Sequence, residues 1–403
     1  MKKNPKILLL EGLAKTATDN FEKLGFTDVT NYTTSFDDEE LIEKIKDAEI
    51  VGIRSRTNLT REILEKLPNL KTIGCFCIGT NQVDLEAAKE LGINVFNAPF
   101  SNTRSVAELV IGEIIMLSRG IFEKSTSAHS GGWLKSAINS YEIKGKTLGI
   151  IGYGNIGKQV SVLAESMGMN VIFFDPLPTL GIGNATKKES LEDLLKESDF
   201  VTLHVPDLVS TRNMISTKEF DLMKNGSFLI NASRGKVVDI EELKNNLESG
   251  KILGAALDVF PEEPKSKTEK FSSPLQGLYN VILTPHIGGS TIEAQNNIGL
   301  EVSEKLFNYV SHGSTIGSVN LPQISLKKHE EKSVRIEHIH KNISGILAEI
   351  NKIFGENNIQ IISQFLETNK GIGYVVLDIC EANDEILKQL QNIKGTIKAR
   401  LIK

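Results

Sequence analysis

The chain has 403 residues, more than one compact core holds, so two or three domains are expected. It is 40% hydrophobic and 24% charged, an ordinary globular composition, and its net charge of −5 argues against a broad nucleic-acid footprint. It lacks an apolar run of about 18 residues, and Met1-Lys-Lys-Asn-Pro-Lys6 leads into only a strand-length apolar segment, so neither a membrane span nor a secretory leader is expected.

Cys75, Cys77 and Cys380 cannot pair completely and lack metal-ligand spacing. They read as reduced core residues of a cytoplasmic protein, and no metal is expected.

Residues 1–101 alternate strand-like runs (Lys6–Leu10, Ile50–Ile53, Lys71–Cys75, Asn94–Asn97) with amphipathic stretches such as Asp38–Asp47 and Asp84–Leu91. That alternation predicts a parallel α/β domain. Arg54-Ser-Arg56-Thr follows directly on a strand, at the carboxyl end where open parallel sheets bind ligands. If the strand continues, both arginines point one way and suit a phosphate or carboxylate; the alternative is a solvated loop. Gly74-Cys-Phe-Cys-Ile-Gly79-Thr-Asn81 is another strand running into a turn whose small residues allow close approach to a ligand.

Asn102 is a candidate cap for a helix over Ser105–Arg119 that leaves this domain. Ser130-Gly-Gly-Trp133-Leu-Lys135 interrupts the pattern and holds the single tryptophan, which suits either an interface anchor or a local core.

Lys146-Thr-Leu-Gly-Ile-Ile-Gly152-Tyr-Gly154-Asn155-Ile156-Gly157 then reads as a strand turning into a helix, with glycines spaced G-x-G-x-x-G. Asp175 closes a second apolar run 18 residues after Gly157. Gly152 allows the tight turn, Gly154 the approach of a pyrophosphate, and Gly157 close helix packing, with the phosphates on the helix N-terminus. This βαβ unit predicts a dinucleotide. Asp175, placed to accept from ribose hydroxyls and repel a 2′-phosphate, selects NAD over NADP.

Further strand ends follow at His204-Val205-Pro206, Asn231-Ala232-Ser233-Arg234-Gly235, Ala255–Val259 and Thr284-Pro285-His286. Together with the first two strands they predict a six-stranded, doubly wound Rossmann-type sheet over 102–289.

A helix over Glu293–Tyr309 is expected to return to the first domain, so that 1–101 and 290–315 form one flavodoxin-like α/β unit. Residues 316–331, with Pro322 and scattered polar groups, read as a linker. From 332 to 403 the order strand, helix, strand, strand, helix, strand describes a small ferredoxin-like α+β domain.

The later strand ends hold Arg234, Glu263 and His286. Hydride transfer involving a 2-hydroxy acid needs a fixed cation for the carboxylate and a group that exchanges the hydroxyl proton. Arg234 suits the first task and His286 the second, with Glu263 or its neighbour Glu262 as a carboxylate partner for the imidazole.

These motifs, with Asp258-Val-Phe-Pro-Glu-Glu263-Pro and Thr-Pro-His286-Ile-Gly-Gly-Ser, resemble the D-isomer-specific 2-hydroxyacid dehydrogenases, in the bacterial form that carries a C-terminal ACT domain. The resemblance implies oxidation of 3-phospho-D-glycerate to 3-phosphohydroxypyruvate by NAD, the entry step of serine synthesis. It implies that Arg234 orients the substrate, that His286 is the acid/base, and that Glu263 rather than Glu262 is its partner.

By the same resemblance Asn155, Ile156, Asp175, His204, Val205, Pro206, Ala232, Ser233, Asp258, Gly288 and Gly289 contact the cofactor, and Arg54, Arg56, Asn102 and Lys135 help bind the substrate. The ACT domain implies feedback by L-serine at His340, Asn342 and Gln360, in a homotetramer. Ser344 and Gln360 depart from the family pattern, and the alternative for His338-x-His340 is a plain strand face. Competing functions are a dehydrogenase of a smaller acid such as glyoxylate, and a non-catalytic NAD-sensing protein.

Overall fold

The computed structural model describes residues 4–264, 269–328 and 333–402. Five apolar runs form the first sheet, β1 (Ile7–Leu9), β2 (Val29–Asn31), β3 (Ile50–Ile53), β4 (Thr72–Cys75) and β5 (Asn94–Asn97). All are parallel, in the order β2-β1-β3-β4-β5. Strands β1, β3 and β4 are buried along their whole length, because helices cover both faces of the sheet.

Helices Asp38–Ile45 and Leu85–Glu90 begin where Asp37 and Asp84 accept a first-turn N–H. Helix Ile292–His312 does return to this sheet, so closely that a Cβ on Gly74 would lie 2.7 Å from Val302 and from Leu306.

A second compact unit runs from Asn102 to Ala294, while 1–101 and 295–403 form the other. The break falls past Gly289 because Thr291 stays with the second unit: its hydroxyl meets Ser105 Oγ at 2.7 Å and accepts the Ala294 N–H.

The second unit's sheet contains β6 (Thr147–Ile151), β7 (Asn170–Phe174), β8 (Thr186–Lys187), β9 (Phe200–Leu203), β10 (Ser227–Asn231), β11 (Ile252–Leu257) and β12 (Val281–Leu283). Its order is β12-β11-β10-β9-β6-β7-β8, all parallel, seven strands where six are expected. The extra strand, β8, is a two-residue exposed edge with no apolar run to signal it.

Helix Thr103–Arg119 ends at Gly120 with φ 55°, and helix Ile121–His129 follows at once with no buried residue. Trp133 is 84% exposed, which rules out the local-core alternative.

The last segment forms β13 (Val334–Lys341), β14 (Ile361–Thr368), β15 (Ile372–Ile379) and β16 (Thr396–Ile402), antiparallel in the order β14-β15-β13-β16. With helices Ile346–Glu356 and Asp384–Gln391 this is the expected ferredoxin-like arrangement. One sheet face packs Ile336, Val375 and Leu377 against those helices. The other adds Ile339, Tyr374 and Val376 to the core that holds Ile298, Val302 and Tyr309.

The stretch read as a linker is packed where it is described. Leu321, Ile324 and Leu326 are buried, and Asn320 bonds to both Val95 N and Ile93 O beside β5. Its proline and polar residues serve hydrogen bonding with neighbouring backbone instead of flexibility, as where Pro322 O accepts from Thr315 Oγ1 at 2.7 Å. The boundary placed at 331/332 lies outside the described residues.

Charge is buried where the last sheet meets the long helix. Arg400 donates to Glu337 at 2.7 Å, the Tyr309 and Tyr374 hydroxyls reach the same carboxylate at 3.0 and 3.1 Å, and Arg400 stacks 4.6 Å from the Tyr309 ring centroid. Arg335 pairs bidentately with Asp378 at 2.6 and 2.8 Å and donates to His312 O, satisfying the end of that helix. Removing one member of such a set strands the other. Arg400→Met is expected to lower stability by about 3–5 kcal/mol in chemical denaturation, and Glu337→Leu/Arg400→Met to recover most of the loss.

Candidate active site

At the end of β6 the three glycines divide their work by space. A Cβ on Gly152 (φ 90°) would lie 2.4 Å from His204 O, and one on Gly157 would lie 2.3 Å from Gly152 O. A Cβ on Gly154 would meet nothing within 4 Å. Gly154 caps helix Asn155–Ser166, so the open side of the turn faces the unpaired N–H groups of Asn155, Ile156 and Gly157. That combination of room and donors fits a pyrophosphate.

Asp175 accepts the Tyr153 N–H at 2.8 Å on one oxygen and the Leu177 N–H at 2.9 Å on the other. It therefore anchors the glycine turn, a role its sequence position does not reveal. Each oxygen keeps a second lone pair that can accept a further hydrogen bond.

His204 joins the turn from the next strand, with Val205 Cγ1 and the His204 carbonyl against Gly152. Burial pushes the imidazole down to about 3, so it is neutral, and its Nδ1 is buried without a partner while Nε2 meets Thr202 Oγ1 at 3.0 Å.

Three neighbouring strands deliver the reactive group. After β10, Asn231 folds the Ala232-Ser233-Arg234 turn: its Oδ1 accepts from Ser233 N and Oγ, and its Nδ2 donates to Arg234 O at 3.0 Å. Gly235 then lies flat on the segment after β11, where a Cβ would come within 1.9 Å of the Phe260 carbonyl carbon. Only glycine permits this contact, and it seats the Arg234 turn against the turn carrying Glu263. Glu263 Oε1 accepts the Phe260 N–H at 3.1 Å, which leaves Oε2 for His286 Nδ1 at 2.8 Å.

Glu263, not Glu262, is thus the imidazole's partner. His286 follows β12 in a left-handed conformation, φ 53°, uncommon for a residue with a side chain. Asp258 holds this loop: Oδ1 accepts from Ile287 N and Thr284 Oγ1 at 2.8 and 2.6 Å, and Oδ2 from Gly288 N at 2.8 Å.

Asn102 precedes helix Thr103–Arg119 as expected, but its side chain forms no cap bond. Its Oδ1 is buried without a partner and its Nδ2 lies against Gly289, so the amide faces the His286 loop rather than its own helix. Glu113, absent from the sequence reading, is buried in the helix with no partner on either oxygen. Burial first, then the charge of Asp258, pushes its carboxyl up to about 8, so it is neutral at pH 7. A lone acid on the apolar face of that helix is the signal that finds it.

Arg54 and Arg56 belong to the first unit; β3 stops at Ile53, so they share a turn and not a strand face. That turn is held by Glu11, whose carboxylate accepts three of its N–H groups. Lys135 is exposed beyond helix Ile121–His129.

In the last domain His340 is buried, with its Nδ1 3.2 Å from His338 Nδ1 and its ring over Gly373. Asn342 is exposed and donates to Asn369 O at 3.0 Å, and exposed Gln360 neighbours Cys380. His340 is therefore committed to the sheet, whereas Asn342 and Gln360 are accessible. Among the described residues no His, Cys, Asp and Glu cluster suits a metal, and no helix is long and apolar enough to cross a membrane.

The hydrogen bond to Glu263 is the largest influence on His286 and, against desolvation, holds its pKa above 6.5. For Glu263 desolvation pushes upward, but the His286 hydrogen bond, its charge and the Phe260 N–H together bring the carboxyl below 4.5. The His286 contribution to stability is full below pH 6.5 and fades as pH rises through its raised value; that of Glu263 is present above pH 4.5 and fades as pH falls through its lowered value.

Residues 111–288 match the NAD binding domain of the D-isomer specific 2-hydroxyacid dehydrogenases, and residues 336–398 an AHAS small subunit-like ACT domain. The chain is 53% identical to D-3-phosphoglycerate dehydrogenase of Haemophilus influenzae, over 98% of this chain and 97% of that one. It is 48% identical to D-3-phosphoglycerate dehydrogenase 1 of Saccharomyces cerevisiae, over 98% and 87%. Among solved structures, D-lactate dehydrogenase of Aquifex aeolicus in complex with NAD and lactic acid aligns with a TM-score of 0.67 at 30% identity, over 79% of this chain and 100% of that one.

In Glu263→Gln the charge that raises His286 is gone while burial and Arg234 still press its pKa down. NMR titration is expected to find the His286 midpoint below its wild-type value; an unmoved midpoint would show that Glu263 does not set it.

Proposed function

The chain belongs to the D-3-phosphoglycerate dehydrogenases within the D-isomer specific 2-hydroxyacid dehydrogenases, and from that membership we propose that it oxidises 3-phospho-D-glycerate to 3-phosphohydroxypyruvate with NAD, the first step of L-serine synthesis. The observation that carries the reading is the His286–Glu263 pair at 2.8 Å beside the Arg234 turn, in a unit whose glycine turn leaves room for a dinucleotide.

The Nδ1–H of neutral His286 donates to Glu263, which leaves the Nε2 lone pair to take the proton of the substrate hydroxyl. Glu263 then stabilises the imidazolium that forms. Arg234 holds the substrate carboxylate through its planar fork, and Arg54, Arg56 and Lys135 supply positive charge for the phosphate. Gly152, Gly154, Asn155, Ile156 and Gly157 would cradle the pyrophosphate of NAD, Asp175 its ribose, and the His204–Pro206, Ala232–Ser233, Asp258 and Gly288–Gly289 segments the rest of it, and the bound cofactor would supply the hydride acceptor for C2.

L-serine is the effector of the ACT domain, with Asn342 and Gln360 as accessible contacts and buried His340 positioning the strand. The chain works as a cytoplasmic homotetramer; exposed Phe122, Trp133, Leu134 and Ile138 support subunit contacts along 121–138.

An NADH absorbance assay with 3-phosphoglycerate is expected to show turnover that His286→Ala lowers by about 10²–10⁴ and that added L-serine reduces. No turnover above the His286→Ala control overturns the function, and indifference to serine overturns only the regulation. Asp175→Ala is expected to narrow the NAD/NADP ratio of kcat/KM; because the same carboxylate pins the glycine turn, both cofactors should also bind more weakly.

A further inference from the structure

Glu11 closes the apolar run of β1, yet it is 3% exposed and its backbone is left-handed, φ 67°. A residue with a side chain stays in that conformation when its surroundings hold it there. What holds Glu11 is the turn after β3, the neighbouring strand of the same sheet.

Its Oε1 accepts the Arg54 N–H at 3.0 Å and the Thr57 N–H at 2.9 Å, while Oε2 accepts the Arg56 N–H at 3.0 Å and lies 3.5 Å from Arg56 Nε. The turn is fixed from the other side by Gln82, which donates to Arg54 O at 2.6 Å.

Backbone N–H groups converging on one point form an anion-binding nest. Here the protein's own carboxylate fills it. A phosphate arriving at this turn therefore meets guanidinium groups and not backbone donors. The Arg56 side chain is 44% exposed, and the Arg54 guanidinium pairs with no acid among the described residues. Two arginines against one glutamate leave the turn positively charged, and three backbone hydrogen bonds to Glu11 fix the chain from which both cations extend.

We propose that Glu11 is a positioning residue for the phosphoryl group of the substrate, acting through Arg54 and Arg56 without touching the substrate itself; this rests on the phosphate-binding reading of those two arginines. Selectivity for the phosphorylated acid then depends on a buried negative charge.

Steady-state kinetics on the full chain with 3-phospho-D-glycerate and with D-glycerate test this, using Glu11→Gln, Glu11→Asp and, for reference, Arg54→Ala/Arg56→Ala. Glu11→Gln should raise KM for 3-phospho-D-glycerate at least about tenfold, with kcat within about twofold and KM for D-glycerate and NAD unchanged. Glu11→Asp, charged but one methylene shorter, should fall between. A merely structural role would move both substrates together or lower kcat.

An equal effect on both substrates, or no effect while the arginine variant loses phosphate selectivity, overturns the role of Glu11. An arginine variant without phosphate-selective loss overturns the reading of the arginines, and the role of Glu11 with it. Should Glu11→Gln fail to fold, the Glu11→Asp comparison decides the same question.

Discussion

A buried acceptor that collects backbone N–H groups is the interaction on which the strand-end loops depend. Glu11 takes three from the Arg54 turn, Asp258 takes two from the His286 loop, and Asp175 takes one from the glycine turn. A loop at the end of a parallel strand has no ladder to continue, so its donors need another partner. A carboxylate at the end of the adjacent strand supplies one at fixed range. Stiff loops follow, and with them side chains that hold their positions before any ligand arrives.

A second constraint couples the loops to each other. Gly235 presses on the Phe260–Pro261 backbone, so the turn carrying Arg234 and the turn carrying Glu263 behave as one layer. Glu263 spends one oxygen on Phe260 N and the other on His286 Nδ1, which extends that layer to the third strand end. Cation, carboxylate and imidazole thus depend on a single glycine for their spacing. The left-handed backbone of His286 is tolerated because Asp258 grips the residues that follow it.

The C-terminal domain is attached by buried charge as well as by apolar packing. Its sheet offers one face to its own helices and the other to the helix that completes the first sheet, where Glu337 accepts from Arg400, Tyr309 and Tyr374. A residue such as Lys398, whose amine burial pushes down to about 8 and which donates to Leu70 O, joins the same surface. The polar composition of 316–331 suggests a loose tether, but where the segment is described Asn320 and Gln323 bond to neighbouring backbone, and only the fold supplies those neighbours.

The periodic apolar runs and the glycine spacing sufficed to place the three sheets, the returning helix, the dinucleotide turn and the strand ends bearing Arg234 and His286. Each is a local property, since strand burial, helix period and glycine freedom act within a few residues. The short polar strand β8, the helix Ile121–His129 without a buried face, and the failure of Asn102 to cap its helix left no such local mark. The choice between Glu262 and Glu263 is invisible to spacing, because both sit on one turn and only the path of the Phe260 backbone decides which carboxylate meets the imidazole. Likewise the second roles of Asp175 and Asp258, the neutral burial of Glu113 and the nest filled by Glu11 arise from atoms far apart in the chain. The sequence by itself determined which chemistry each strand end carries; the tertiary structure alone decided which of those groups share a hydrogen bond, because partners from different strands meet only once the sheet fixes their register.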